Sequence, residues 1–498
     1  SGVLHPLFGL EGAPAGHESA WNNLWLNFGL AANEVHERFD PWWPTERPLD
    51  GGMAGIGSCE WLYWNALKLS WLGDHPQAAV LEDYIVGNPV EESGYAWASP
   101  DSPEHLGHGR HFTTNAMYVA AVAHHFLLRR DAEFLRRTDP RTGETVLSKT
   151  RRAMDYLVET LGGKDGLVVL PGENYDGTAD SMGSNYWDFW RAGHLDAYVN
   201  AWFYESLRLM AALERALGGE ERADRLEALR PKVRTAYNRV FWDPEKGRYI
   251  GWIDATGNRN DYGFVFVNLK ALSFGLADEE RAETILEWLD GKRRIEGDDA
   301  TDIYRFGLAP RSTTVNALRG DPPPVVTWGG QLDIRPGGNA AFGKQIQNGG
   351  AIFYTSYYDL HARKRFRDAA DVVRRWDGIF AEYQRDQLRR DPGNFRGHSD
   401  VLGILREFPE SGLVPYFFVD GIIGLRPAAD GWIFDPLLPP IVERATLKRA
   451  VLGDRTLGIV VERGRSEAAL ENGKLFLPDD RRTRLGRDGT LAPGGTPQ

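Results

Sequence analysis

Residues 194–239 read HLDAYVNAWFYESLRLMAALERALGGEERADRLEALRPKVRTAYNR. In the first half Leu195, Val199, Trp202, Phe203, Leu207 and Met210 recur every three or four positions, which gathers them on one face of a helix. Gly218-Gly219 breaks the run, and Leu226, Leu229, Val233 and Tyr237 resume the same period. The segment is therefore a helical hairpin. The same reading predicts helices near 18–38, 54–72, 75–87, 114–130, 147–161, 194–217, 221–239, 261–275, 278–290, 346–362, 365–390 and 412–424, with Gly, Pro or Asp between them. Twelve helices in successive hairpins point to an all-α chain folded as an α/α toroid, an inner ring inside an outer one. A superhelical array would need a regular period and short, equal loops, and the chain has neither.

Around the helices lie a small hairpin at 241–257 and long Gly/Pro-rich loops at 88–112, 163–193, 296–345 and 391–411. Loops this long in a compact domain are expected to carry function, and they form a natural rim for a site. Beyond residue 425 the helical period stops. Short alternating runs predict a small β appendix over 426–498, ending in a loose tail, so the expected division is a helical barrel at 1–425 followed by that appendix.

Composition narrows the function. The chain has 498 residues, 70 Asp and Glu against 58 Lys and Arg, and a net charge of −12, which disfavours nucleic acid as a partner. No apolar run reaches 18 residues, so no membrane span is expected. A single cysteine, Cys59, leaves no disulfide framework or Cys-rich zinc site. The Asp runs and the histidines His105, His108, His111, His124 and His125 lack metal-site spacing, so neither metal nor cofactor is expected. The start at Ser-Gly reads as a boundary left after removal of a leader or domain. A soluble chain, cytoplasmic or exported, is the expectation, with its oligomeric state open.

Two segments carry candidate acid–base chemistry. In 172–207 Asp188 stands between Trp187 and Phe189, with Tyr186 and Trp190 beside them. Aromatic walls desolvate a carboxyl group and favour its protonated form, which suits a general acid. The alternative is a helix cap or an ion pair with Arg191. In 399–425 Glu407 and Glu410 flank Pro409 ahead of an apolar helix, where either could hold a water as general base or only complement the helix dipole. Asp400 is nearby. Arg47 and Asp50, before the helix that carries Trp61, suit a clamp for sugar hydroxyls. Gln347 and Asn348 donate and accept, as hydroxyl recognition requires. Trp42, Trp43, Trp61, Trp64, Tyr186, Trp187, Phe189, Trp190, Trp328 and Tyr416 are candidate stacking surfaces for a sugar.

Trp187-Asp188, followed by DAYVNAWFYESLRLMAAL (196–213), is similar to the Trp-Asp pair of trehalases and processing α-glucosidases. FWDPEKGRYIGW (241–252) and DYGFVFVNLKALSFGLADEERAETIL (261–286) resemble the next hairpin of that group. DGIIGLRPAADGWIFDPLLPP (420–440) with RTLGIVVERG (455–464) resembles the passage into a β-element in rhamnosidase-like members. The chain thus resembles the six-hairpin glycosidases over most of residues 20–465. This resemblance implies an (α/α)6 barrel, an exo-acting inverting hydrolysis of an oligosaccharide or glycoside, and Asp188 as the acid. The trehalase base segment has no counterpart, which leaves Glu410, Glu407, Asp400 and Glu382 as bases, in that order, and Glu173 or Asp176 as second candidates for the acid. Phosphorolysis on the same fold, epimerisation through His108, His111 or His124, and sugar binding without catalysis are the competing readings.

Overall fold

The computed structural model describes residues 7–26, 59–98, 102–103, 109–178, 183–187, 190–295, 353–384 and 409–495, with backbone alone for 59–60, 382–384 and 409–410. Among these, twelve helices alternate between two environments, and a short thirteenth, Ala132–Arg136, lies in the connection between two of them. The odd members are α1 (His17–Leu24), α3 (Pro76–Gly87), α5 (Val146–Asp155), α7 (Glu220–Phe241), α9 (Glu279–Leu289) and α11 (Ala369–Gln384). The even members are α2 (Cys59–Leu69), α4 (Thr113–Arg129), α6 (Ala197–Ala216), α8 (Val265–Ser273), α10 (Thr355–Phe366) and α12 (Leu413–Phe417), the last continued by a wide turn to Ile422. Where the predicted ends fall on described residues most are met to within a few residues, whereas 27–38, 54–58, 346–352 and 385–390 lie outside the described residues and the helix expected from 346 begins at Thr355.

Burial separates the two sets. In α4 every residue from Thr113 to Leu128 is buried, and in α8 every residue from Val265 to Leu272. A helix apolar all round belongs inside. In α7 only one stripe is buried, running through Ala223, Leu226, Leu229, Val233, Tyr237 and Phe241, and its acidic and basic side chains face out. Each even helix touches the next, α2 to α4 and onward to α12, and α12 returns to α2. Each odd helix packs outside, with α1 laid on α12 so that the first helix closes against the last. Trp21 of α1 stands edge-on to Trp376 of α11 at 5.5 Å.

The connections sort by length. Even-to-odd connections run over 70–75, 130–145, 217–219, 274–278 and 367–368. Odd-to-even connections run over 25–58, 88–112, 156–196, 242–264, 290–354 and 385–412. Leu67, His124, Arg208, Ser273, His361 and Asp420, each from the later part of an even helix or the turn continuing it, line one cavity, so the even helices end on the same side. The segments that lead into the even helices therefore join them at the other end.

The chain is not all-α. It is mostly helical with several small sheets. One sheet has five strands in the order β1 (Phe8–Glu11), β9 (Arg444–Leu452), β10 (Arg455–Glu462), β12 (Lys474–Pro478), β11 (Ala469–Glu471), in which only β10 and β12 are parallel. A second has four, in the order β14 (Leu491–Pro493), β13 (Thr483–Gly486), β8 (Gly431–Phe434), β7 (Leu425–Ala428). The expected loose tail is thus partly ordered, because residues 483–486 find a cross-strand partner in β8. The 241–257 region forms β3 (Trp242–Asp243) paired with β4 (Arg248–Tyr249), and β5 (Trp252–Ile253) paired with both β6 (Arg259–Asn260) and β2 (Leu195–Asp196).

The C-terminal sheets close the short-turn end. Arg130, in the left-handed region (φ 58°) just after α4, donates to the carbonyls of Ala428, Ala429 and Gly431. The indole of Trp432 donates to Leu128 O at 3.3 Å, and the Gly453 amide donates to the same oxygen at 2.9 Å. Carbonyls left over at the helix C-terminus are satisfied this way. Among the described residues no helix is long and apolar enough to cross a membrane.

Candidate active site

The loop before α6 is held to the start of that helix by one buried carboxylate. Asp196 is the N-cap, and its Oδ1 accepts from the amides of Tyr198 (2.8 Å) and Val199 (3.3 Å). Its Oδ2 accepts from the Ser184 hydroxyl (2.9 Å) and the Asn185 amide (2.6 Å). Asn185 Oδ1 in turn accepts from the Trp187 amide at 2.7 Å. The Phe112 amide, at the start of α4, donates to Ser184 O at 2.7 Å. Residues 184–187 therefore cross the mouths of α4 and α6. Trp190 N donates to Trp187 O at 2.9 Å. Burial raises the Asp196 carboxyl above its ordinary range, against the pull of its four hydrogen bonds. Asp196 is absent from the sequence-based candidates. Its signal was an Asp directly ahead of an apolar period, a capping pattern.

The described aromatic candidates of this segment, Tyr186, Trp187 and Trp190, are buried. The Trp187 ring stacks on Phe266 at 3.7 Å and 12°. Trp190 stacks on Tyr262 at 5.2 Å. Tyr186 stands edge-on to Trp64 at 5.1 Å and to Tyr354 at 5.7 Å. Trp61 is also buried. The faces that the sequence suggests for a sugar are, for Trp187 and Trp190, turned to neighbouring rings. Below them the buried Lys270 ammonium lies 3.4 Å from the Tyr358 ring centroid and 4.3 Å from that of Trp202.

Asp188 and Phe189 lie outside the described residues, as do Arg47, Asp50, Trp328, Gln347, Asn348, Asp400 and Glu407. Glu410 belongs to the turn Pro409–Gly412 that enters α12, and this turn touches α2. The second acid candidates sit apart from the buried network: Glu173 is exposed, and Asp176 accepts from the amide and hydroxyl of Thr178 in a local turn. Among the histidines, His125 bonds Ser70 Oγ (2.9 Å) and Glu82 (3.0 Å) and is a core residue. The described residues contain no group of three or more metal-ligating side chains.

A cavity of 730 Å³ lies at the opposite end. Late residues of every even helix line it: Leu67, His124, Arg208, Ser273, His361 and Asp420. Tyr416, expected beside a sugar, faces this cavity and not the mouth near Trp187. Glu205 is held by both arms of Arg208 (3.0 and 2.5 Å). Asp420 accepts from the Tyr357 hydroxyl and bonds His361 Nε2 at 3.1 Å. His124 is driven down to about 3, chiefly by burial and then by the Arg208 charge, so it is neutral at pH 7.

No family model matches the chain, and no curated protein matches it. Solved structures do. A sialidase shares the fold at a TM-score of 0.54 and 14 % identity, over 92 % of this chain and 38 % of that one. A family GH78 rhamnosidase of Bacillus sp. GL1 aligns at a TM-score of 0.49 and 16 % identity, over 84 % of this chain and 41 % of that one. A GH63 mannosylglycerate hydrolase of Thermus thermophilus aligns at 0.46 and 15 %, over 78 % of this chain and 98 % of that one. The chain thus spans about two fifths of the length of the first two. The likeness is one of fold, and with the sialidase it extends over 92 % of this chain.

Proposed function

We propose that this chain is a glycoside hydrolase that works from the end of its substrate and inverts the anomeric centre. The observation that carries the reading is ring order. In the cycle α2, α4, α6, α8, α10, α12 the third and sixth members stand opposite each other. Asp188 precedes α6 in sequence, and Glu410 lies in the turn entering α12. An acid and a base approaching from opposite walls is what inversion requires: Asp188 protonates the glycosidic oxygen while Glu410, with Glu407 as the alternate, removes a proton from a water on the far face. The two carboxyl groups should stand roughly 6.5–9.5 Å apart to admit that water. No cofactor is needed, because carboxylates stabilise the developing positive charge.

The long connections lead into the even helices at that mouth, where a pocket closed at one end would suit attack on a terminal sugar. Arg47 and Asp50 come from the connection into α2, and Trp328, Gln347 and Asn348 from the connection into α10. These five would hold the sugar hydroxyls and ring. Trp61, Tyr186, Trp187 and Trp190, all buried, would form the wall behind them. Residues 1–425 would carry catalysis and residues 426–498 would cap the ring.

Asp188→Asn, Glu410→Gln and Glu407→Gln, assayed on a panel of aryl glycosides and disaccharides, test this. The expected result is loss of turnover in Asp188→Asn and in one of the two Glu variants. The first product seen by NMR should have the opposite anomeric configuration to the substrate, at a rate independent of added phosphate. Near-wild-type turnover in all three variants would sink the assignment.

A further inference from the structure

The charges of the sheet-capped cavity do not balance. Five of its six carboxylates are held by arginine. Arg208 holds Glu205, Arg215 holds Glu220 and Glu227, Arg484 holds Asp430, and Arg482 holds Asp435 (2.8 and 2.9 Å). Asp420 is taken by Tyr357 and His361. Three more arginines line the same space: Arg230 from α7, Arg365 from α10 and Arg426 from β7. None of the three has an ion pair or hydrogen bond among the described residues, and Arg230 Nε is buried without a partner. Arg230 packs its guanidinium over Tyr204 at 4.5 Å. The low-dielectric surroundings, and then the Arg426 charge, hold the Arg365 guanidinium below its usual range. Seven arginines against six carboxylates line the cavity, and in a chain of net charge −12 three arginines without an ion pair converging on one space suit an anion.

The cavity offers more than charge. At 730 Å³ it far exceeds a bare oxyanion. Its inner wall is made of Tyr63, Tyr357, Tyr358 and Tyr416, and His124 presents a buried Nε2 with no partner. Phenol faces and a neutral imidazole suit a body carrying hydroxyl groups. We propose that this cavity binds a small hydroxylated acid, a sugar or polyol bearing a phosphate or carboxylate, with Arg230, Arg365 and Arg426 on the oxyanion and the tyrosine wall around the body. Planar guanidinium groups match both oxyanions. The arginines come from an outer helix, an inner helix and a strand of the cap, so the ligand would tie the ring to its cap at the end remote from Asp196 and Trp187.

Calorimetry on the full chain tests this with glucose 6-phosphate, glucuronate, inorganic phosphate and glucose as probes. Saturable binding of glucose 6-phosphate or of glucuronate is expected, and the tighter of the two identifies the oxyanion. Arg365→Gln combined with Arg426→Gln should weaken it at least about tenfold. No binding of either acid overturns the proposal, as does binding unchanged in the double variant. Glucose binding as tightly as the acids removes the anion. Inorganic phosphate binding as tightly as glucose 6-phosphate removes the hydroxylated body. Should the double variant fail to fold, the salt dependence of the wild type decides: affinity falling about tenfold between about 50 and 500 mM chloride supports the site, and a flat response overturns it. Asp188→Asn should bind the acid normally, so failure here and failure of the proposed hydrolysis are separable.

Discussion

The two ends of the helical ring are built on the same six inner helices and differ in the segments that join them there. Where these helices begin, the chain spends its long connections, and a buried Asp196 ties one of them to a helix start. Where they end, the turns are short, and the C-terminal sheets cover the opening through Arg130, Trp432 and Arg482. One end varies in loop length, as reaction sites do, and the other is fixed by hydrogen bonds between helix ends and strands. Substitutions at the first end should change rate, and at the second stability or binding.

The largest effect expected is on rate. Asp188→Asn should lower kcat about a thousandfold (about 4 kcal/mol of barrier) with the melting temperature nearly unchanged, as read by steady-state kinetics and calorimetry. A variant that unfolds but keeps its specific activity would break the contrast between the ends. Next is an acid sensitivity seated at the other end. His124 stays neutral in the folded ring down to about pH 3, while the unfolded chain takes up its proton near 6.5. The unfolded state then binds more protons between these values, so stability falls as pH drops through that window, by about 3 kcal/mol at pH 4. In urea titrations, His124→Gln should show a smaller difference between pH 7 and pH 4 than the wild type.

Asp196→Ala should cost about 2 kcal/mol of stability by removing a cap and freeing Ser184 and Asn185. It should also lower kcat more than it raises KM, because Asp196 is buried and acts by positioning the loop. Asp196→Asn, which keeps an acceptor oxygen for the helix, should recover most of the stability. The smallest effect belongs to the cap. Arg130→Ala should destabilise by about 1–2 kcal/mol with kcat within about twofold of wild type, checked by urea unfolding beside the kinetic assay.

The helices were legible because a 3.6-residue apolar period needs no tertiary context. Leu226, Leu229 and Val233 mark an outer helix by themselves, and the runs in α4 and α8 mark inner ones. Phe8–Glu11 was not legible, since four residues of strand carry no usable period and the partner, Arg444–Leu447, lies more than four hundred residues away. The strands at 483–486 and 491–493 were hidden by their polar and Gly/Pro-rich surroundings; the first becomes a strand beside β8, and the second beside the first. Sugar stacking at Trp187 and Trp190 was a fair inference from their neighbours in sequence. The structure turns both rings to other aromatics, because Phe266 and Tyr262 arrive from the following hairpin.

Glu205 and Arg208 could have been noticed as charges inside an otherwise apolar helix. Their meaning depends on Arg426, which comes from a strand more than two hundred residues later. Local patterning alone determined where the helices lie, which connections are long, and which carboxylate stands among aromatics, because those properties are set by neighbours within a few residues. Which helices stand opposite, which rings are covered, and which arginines lack a partner were decided only by tertiary structure, because each depends on groups that the chain brings together from far apart.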